Sequence, residues 1–233
     1  MRTKMVALIA ILTFVTLFVG VSAFASPVNQ FDTVSMNYSY DSSSTLIGGA
    51  NGGGPFLLTD STTGASFITF CIETGTEFSP GNPYTVNSKS TILIPGDPGV
   101  TQPLAYGVAY LYSNYIAGTL QGYNYQTPNG VTSFTSSSGY TNEANSANAL
   151  QAAIWYLLGG SATTYPGAQL NGFVQLADAA HWTNDGNVEV LNLVIPGTDT
   201  PAQDMLAVPE PSTMLLIGAG LMGLGFVRRF LLS

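Results

Sequence analysis

The chain is poor in cysteine, histidine and charge, and each shortage limits what it can do. Cys71 is the only cysteine, so it has no partner for a disulfide within the chain. His181 is the only histidine. Because it stands beside Trp182 at the end of a predicted helix, we interpret it as a packing or capping residue. The sequence predicts no metal site and no cofactor.

Basic residues are scarcest in the central part of the chain. Charged residues make up 8% of the sequence, and Lys89 is the only base between positions 26 and 210, which hold all 13 acidic residues. Nucleic acid is therefore excluded as a partner, because phosphate contacts need Lys and Arg. The abundant Gly, Ser, Thr, Asn and Tyr are typical of a secreted β-rich domain with many turns.

Residues 1–25 have the three parts of a secretory signal peptide. Arg2 and Lys4 supply the charged start, and residues 5–21 are apolar. The small residues Ala23 and Ala25 form an Ala-x-Ala cleavage site, so the mature chain is predicted to begin at residue 26. An uncleaved membrane anchor is the alternative, which this cleavage site disfavours.

The body, residues 26–207, predicts one exported domain of α+β class with antiparallel strands and about three helices. Residues 66–73 and 188–195 each predict a strand, because apolar residues alternate there, and residues 83–94 predict one or two more short strands. The helices are expected at residues 103–117, 145–158 and 168–181, where apolar residues recur at helical spacing.

The most informative stretch is residues 149–158, within the second of these helices. It is apolar nearly all round and is followed by two glycines, which predicts a buried helix with a clear end. Gln151 is the exception within it. A buried primary amide needs several hydrogen-bond partners, or it costs free energy.

Three further segments are predicted to be connections. The glycine run from Gly48 to Pro55 lacks the Gly-Lys-Ser/Thr ending and following helix of a phosphate-binding loop, so we interpret it as a connector. Residues 119–142 form a long polar excursion. Residues 198–211 form a linker rich in Pro, Asp and Thr.

The C-terminal tail predicts a short membrane-spanning helix. Its apolar run, with Ser212–Val227 as outer limits, would be about 24 Å long as a helix, against roughly 30 Å for a hydrocarbon core. Arg228 and Arg229 follow it and place this end in the cytoplasm. A plain single-span anchor is one interpretation of this pattern.

The same tail resembles the PEP-CTERM sorting signal of bacterial exported proteins. The resemblance is carried by Pro209, Glu210 and Pro211, by the glycine-containing apolar run, and by the arginine pair at 228–229. It implies processing by exosortase, a membrane protease, at or near the Pro-Glu-Pro. The membrane-anchored intermediate would then be released to the cell surface or extracellular matrix.

The body resembles the thioester domain, of the Thr-Gln-x-Ala type, found in bacterial surface adhesins. The matching pieces are Phe70–Glu73, Ala109–Tyr112 and Gln151–Trp155, within roughly residues 65–206. The resemblance implies that Cys71 and Gln151 condense with loss of ammonia to form an internal thioester, which a surface amine can attack. Leu150 stands where the family usually has threonine.

Three interpretations of Cys71 stay open: a thioester with Gln151, a buried free thiol, and an intermolecular disulfide or other thiol chemistry. Glu73 and Glu77 could suggest a glycoside hydrolase, but acids of this kind are usually solvated, so no enzyme is expected. The alternative to a covalent adhesin is a non-reactive structural protein of the matrix. Exposed tyrosines in residues 119–142 would then stack on a matrix polysaccharide.

Overall fold

A mixed α+β domain is seen in the computed structural model of this chain. It describes residues 28–39, 54–73, 75–76, 78–94, 101–127, 130–131, 143–160 and 172–208. The predicted signal peptide and the predicted C-terminal helix lie outside these ranges. Within them, no helix combines the length and the apolar character needed to cross a membrane.

The described ranges contain ten strands and three helices. The strands are β1 (Thr33–Tyr38), β2 (Phe56–Asp60), β3 (Ser66–Thr69), β4 (Pro83–Ser90), β5 (Ile92–Leu93), β6 (Gln102–Pro103), β7 (Gln126–Thr127), β8 (Gly130–Val131), β9 (Glu189–Val194) and β10 (Met205–Ala207). The helices are α1 (Tyr106–Ile116), α2 (Glu143–Leu157) and α3 (Gly172–Ala180). The predicted fold class, antiparallel strands with three helices, is confirmed.

Six strands form one antiparallel sheet in the order β10-β9-β4-β1-β2-β3, and β5-β6 and β7-β8 form two small pairs. Side chains alternate across the sheet as the period of two requires. In β1, Val34 and Met36 are fully buried, and they lie opposite Asp60 and Leu58 of β2. The apolar alternation therefore fixes which face of these strands turns inward.

The two outer strands of this sheet meet through the segment that follows β3. The backbone N–H of Leu206 donates to the carbonyl of Phe70 (3.1 Å), and that of Ile72 donates to the carbonyl of Asp204 (3.2 Å). Between them, Cys71 forms an isolated antiparallel bridge with Met205. We call this junction the seam; it closes the sheet on itself.

Two predicted boundaries around the seam were wrong. The strand expected at 66–73 ends at Thr69. Beyond Thr69, in the described residues 70–73, the only pairing is the isolated bridge between Cys71 and Met205. The linker expected at 198–211 contains β10, a strand of three buried residues. Pairing with β9 and the seam, not local propensity, makes this segment a strand.

The first helix begins later than predicted. The sequence placed Pro103 at its first position, but Pro103 lies in β6 and pairs with Ile92, while α1 starts at Tyr106. The N–H of Leu104 donates to the carbonyl of Thr91 (2.8 Å). This short strand pair uses the residues before the helix, and proline is tolerated on such an edge.

Two apolar cores lie on the two faces of the closed sheet. Val190 and Leu206 face a core that the three helices complete, while Leu191 and Met205 face a core inside the sheet. Helix α2 contributes to both, since Ile154 lies in the first and Trp155 in the second. Gln151, one turn before Trp155, therefore enters the boundary between the cores.

The polar excursion is partly packed, which corrects one expectation. Tyr123 is fully buried among α1 and α3, and Tyr125 is only half exposed. The prediction of exposed tyrosines is therefore wrong for Tyr123, because its ring packs against Tyr115 and Phe173. The other aromatic residues of this excursion lie outside the described ranges.

Candidate functional site

Cys71 lies at the seam and is buried there. Its side chain is 4% exposed and belongs to the core inside the sheet, with Phe67, Trp155 and Met205. It is a free cysteine. Its position follows from the sheet closure, because the residues on both sides of it carry the backbone bonds to β10.

Gln151 brings its carboxamide to this cysteine from helix α2. The side chain is fully buried. Its Nε2 donates to the carbonyl oxygen of Cys71 (2.8 Å), and its Oε1 lies 3.5 Å from the Cys71 sulfur, which donates its S–H. The polar ends of this amide thus have the partners that its burial requires.

Gly54 completes the site and is the residue that sequence reasoning missed. Its backbone N–H donates to Oε1 of Gln151 (2.8 Å). A Cβ at this position would lie 2.9 Å from the carbonyl oxygen of Thr69 and 3.1 Å from the Cα of Phe70. Its position in a glycine run predicted only a connector, because a run of glycines does not reveal which one touches a neighbouring strand.

The thiol at this site is in its neutral form at pH 7. Burial raises the pKa of Cys71 to about 12, and the charge of Glu73 adds to the rise, while backbone N–H groups at Gly54 and Cys71 oppose it. A neutral thiol can donate to Oε1 of Gln151, as the geometry shows. The arrangement places a sulfur nucleophile beside an acyl group in surroundings with little water access.

Two buried carboxyl groups lie next to the seam. Glu73 is 7% exposed and accepts the backbone N–H of Asp204 (3.0 Å), so the expectation that it is solvated is wrong. Asp204 is 1% exposed and accepts hydrogen bonds from the N–H of Ile94 and the amide of Asn192. Burial, and then the charge of Glu73, raise the pKa of Asp204 to about 7. Glu77 lies outside the described residues.

The remaining predicted site residues lie outside the described ranges. These are the signal-cleavage residues Ala23 and Ala25 and the sorting residues Pro209, Glu210, Pro211, Arg228 and Arg229. Of the described His, Cys, Asp and Glu residues, no three are grouped as metal ligands would be. The last described residue, Val208, directly follows β10.

The part of the chain that matches a known protein family model is the C-terminal tail. No curated protein and no solved structure matches the chain. The thioester resemblance of the body therefore stays a prediction from its sequence pattern. The family model of the PEP-CTERM protein-sorting motif matches residues 207–229, a stretch that begins at the end of β10. The chain thus carries a PEP-CTERM sorting motif, which marks it as an exported protein that exosortase processes.

Proposed function

We propose that this exported protein attaches covalently to a surface or matrix amine through an internal thioester between Cys71 and Gln151. Exosortase would process the tail near Pro209–Pro211 and release the folded domain to the cell surface or matrix. The thioester would then act as an acyl donor. The observation that carries the proposal is the contact of one thiol with one buried carboxamide, 80 residues apart in the chain.

The bond-forming step needs no co-reactant. The sulfur of Cys71 adds to the side-chain carbonyl carbon of Gln151, the C–S bond forms and the C–N bond breaks. The thiol proton leaves with the nitrogen as ammonia. An amine attacking the product would form a new amide and restore the thiol of Cys71, so each step balances.

Burial supports this chemistry in two ways. A thioester hydrolyses when water reaches it, and both partners lie in the dry interior, with Cys71 4% and Gln151 0% exposed. The buried amide is also held at its oxygen and at its nitrogen by the backbone of two other segments. Such fixed geometry lowers the entropic cost of an intramolecular reaction.

The test is the intact mass of the full chain, purified in detergent, beside Cys71→Ala and Gln151→Ala. The proposal expects the wild type to be lighter than its processed sequence by one ammonia and both variants to have full mass. Added methylamine should then label the wild type at position 151. A wild type that keeps its amide and a titratable thiol would overturn the proposal. Hydrolysis of the thioester is recognised separately, because it leaves a carboxylic acid at position 151, so that O replaces the NH of the original amide.

The second candidate is a non-reactive structural protein of the matrix. It is favoured by the packing of Cys71, since a small thiol in an apolar cluster is also an ordinary core residue. Under this alternative, Cys71→Ala changes only stability. The burial of Tyr123 removes one of the aromatic surfaces on which sugars would have stacked.

A further inference from the structure

The oxygen of the Gln151 carboxamide has two hydrogen-bond donors, and they differ in what happens to them during the proposed reaction. The Cys71 thiol donates at 3.5 Å and the backbone N–H of Gly54 at 2.8 Å. The thiol gives up its proton when its sulfur bonds to carbon. The N–H of Gly54 is part of the main chain and stays in place.

We propose that the backbone N–H of Gly54 is the oxyanion donor for the reactions of Cys71 with Gln151. This inference rests on the function proposed above. When sulfur adds to the carbonyl carbon, the negative charge develops on Oε1 of Gln151, the atom this N–H already contacts. The same oxygen bears the charge when an amine attacks the thioester, so one donor serves both steps.

The packing around Gly54 explains why a glycine supplies this donor. A side chain would meet backbone atoms of Thr69 and Phe70, at 2.9 and 3.1 Å, and these belong to the segment that leads into Cys71. The backbone dihedral φ of Gly54 is not in the left-handed region. Close approach to the neighbouring strand, and not an unusual backbone conformation, therefore requires glycine here.

The other end of the carboxamide is fixed as well. Nε2 of Gln151 donates to the carbonyl of Cys71, so the nitrogen that would leave is held by the residue that would attack. With Gly54 on the oxygen, the carboxamide cannot turn away from the sulfur. Donors that are in place before reaction cost no reorganisation when the charge appears.

The experiment removes the N–H without adding an atom. The full chain is made by cell-free translation in detergent, with glycolic acid in place of Gly54, so that an ester oxygen replaces the N–H. Loss of ammonia is followed by intact mass after synthesis stops, and the rate of methylamine uptake is measured on the bonded protein. Gly54→Ala is measured in parallel, and Gly75→Ala is the control because its Cβ would meet nothing within 4 Å.

We expect the glycolic acid protein to lose ammonia and to take up methylamine about 100-fold more slowly than the wild type. Gly75→Ala should match the wild type in both rates. If the N–H of Gly54 only stabilised the folded domain, the glycolic acid protein would melt at a lower temperature but react at the wild-type rate. That result would overturn this inference and leave the proposed function standing. A wild type that never loses ammonia would instead overturn the proposed function, and this inference with it.

Discussion

The side-chain nitrogen of Gln151 donates a 2.8 Å hydrogen bond to the carbonyl oxygen of Cys71, which joins the middle of helix α2 to the seam of the sheet. Both ends of this bond are buried. The contact therefore exists only when the helix has docked and the sheet has closed. It links the stability of the domain to the geometry of the candidate site.

Gln151→Glu should destabilise the domain at pH 7. We would make it in a Cys71→Ala background, where no thioester can form. The change replaces the buried NH₂ donor by a carboxylate facing the backbone carbonyl of position 71, at a cost of about 1–3 kcal/mol. Urea unfolding of the single and the double variant measures the difference.

The pH dependence of this difference in unfolding free energy tests whether the introduced carboxylate causes it. Burial raises the pKa of the introduced carboxyl in the folded state, and its protonated form can donate to the carbonyl again. The destabilisation should shrink as the pH falls towards 4 and grow as the pH rises. Equal unfolding free energies at pH 7 would contradict the role assigned to the amide.

Asp204→Asn should change how stability depends on pH. The Asp204 carboxyl has a pKa of 3.8 when unperturbed and about 7 in the folded protein. Between these values the folded state holds a proton that the unfolded state has lost, so stability falls as pH rises, by up to about 4 kcal/mol. Asparagine can still accept from Ile94 and Asn192, and the variant should be the more stable protein at pH 8.

Urea unfolding at several pH values between 4 and 8 measures this effect. Asp178→Asn is the matched control, because Asp178 is an exposed acid on α3. This variant also loses one carboxyl group, but from an exposed position, so it shows the effect of removing an acid that is not buried. A profile for Asp204→Asn that is parallel to the wild type would show that the Asp204 carboxyl is ionised in the folded protein throughout this range.

Tyr112→Phe should destabilise the domain without changing its fold. The buried hydroxyl of Tyr112 donates to the carbonyl of Ile68 (2.8 Å) and lies 3.2 Å from that of Leu206, so it ties α1 to both sides of the seam. Its loss should cost about 1–2 kcal/mol. Thermal and urea unfolding measure it against Tyr106→Phe, an exposed position of the same helix. Equal losses in the two variants would refute the assignment.

Glu210→Ala should block processing of the tail. Glu210 lies within the matched sorting motif, residues 207–229, ahead of the apolar run and the two arginines that the motif includes. In a host with exosortase, the variant should stay in the membrane fraction with the mass of its C-terminal segment intact. Asp199→Ala, an exposed acid upstream of the motif, should be released like the wild type. Release of both variants would exclude Glu210 from recognition.

Patterns of short range predicted much of this fold. The helical period around Gln151 placed α2 within two residues of its observed ends, alternation located β9, and the strand expected within residues 83–94 contains β4. These elements carry enough apolar residues for their own pattern to determine their structure.

Other features depend on partners far away in sequence. Strand β10 has only three residues and lies in a stretch rich in Pro and Asp, so its pairing with β9 and the seam decides its structure. The burial of Glu73 and the contact of Gly54 with Gln151 likewise arise from segments brought together by the sheet. A local pattern contains no information about such contacts.

The closure of the sheet by β10 also sets an order of events. The segment around Cys71 bonds to residues 204 and 206, and the sorting motif begins at residue 207. A chain threaded through the membrane from its N-terminus would expose an open edge at Cys71 until these last residues had followed. The thiol and the amide would then be brought together only when export of the domain is complete and the tail has reached the membrane.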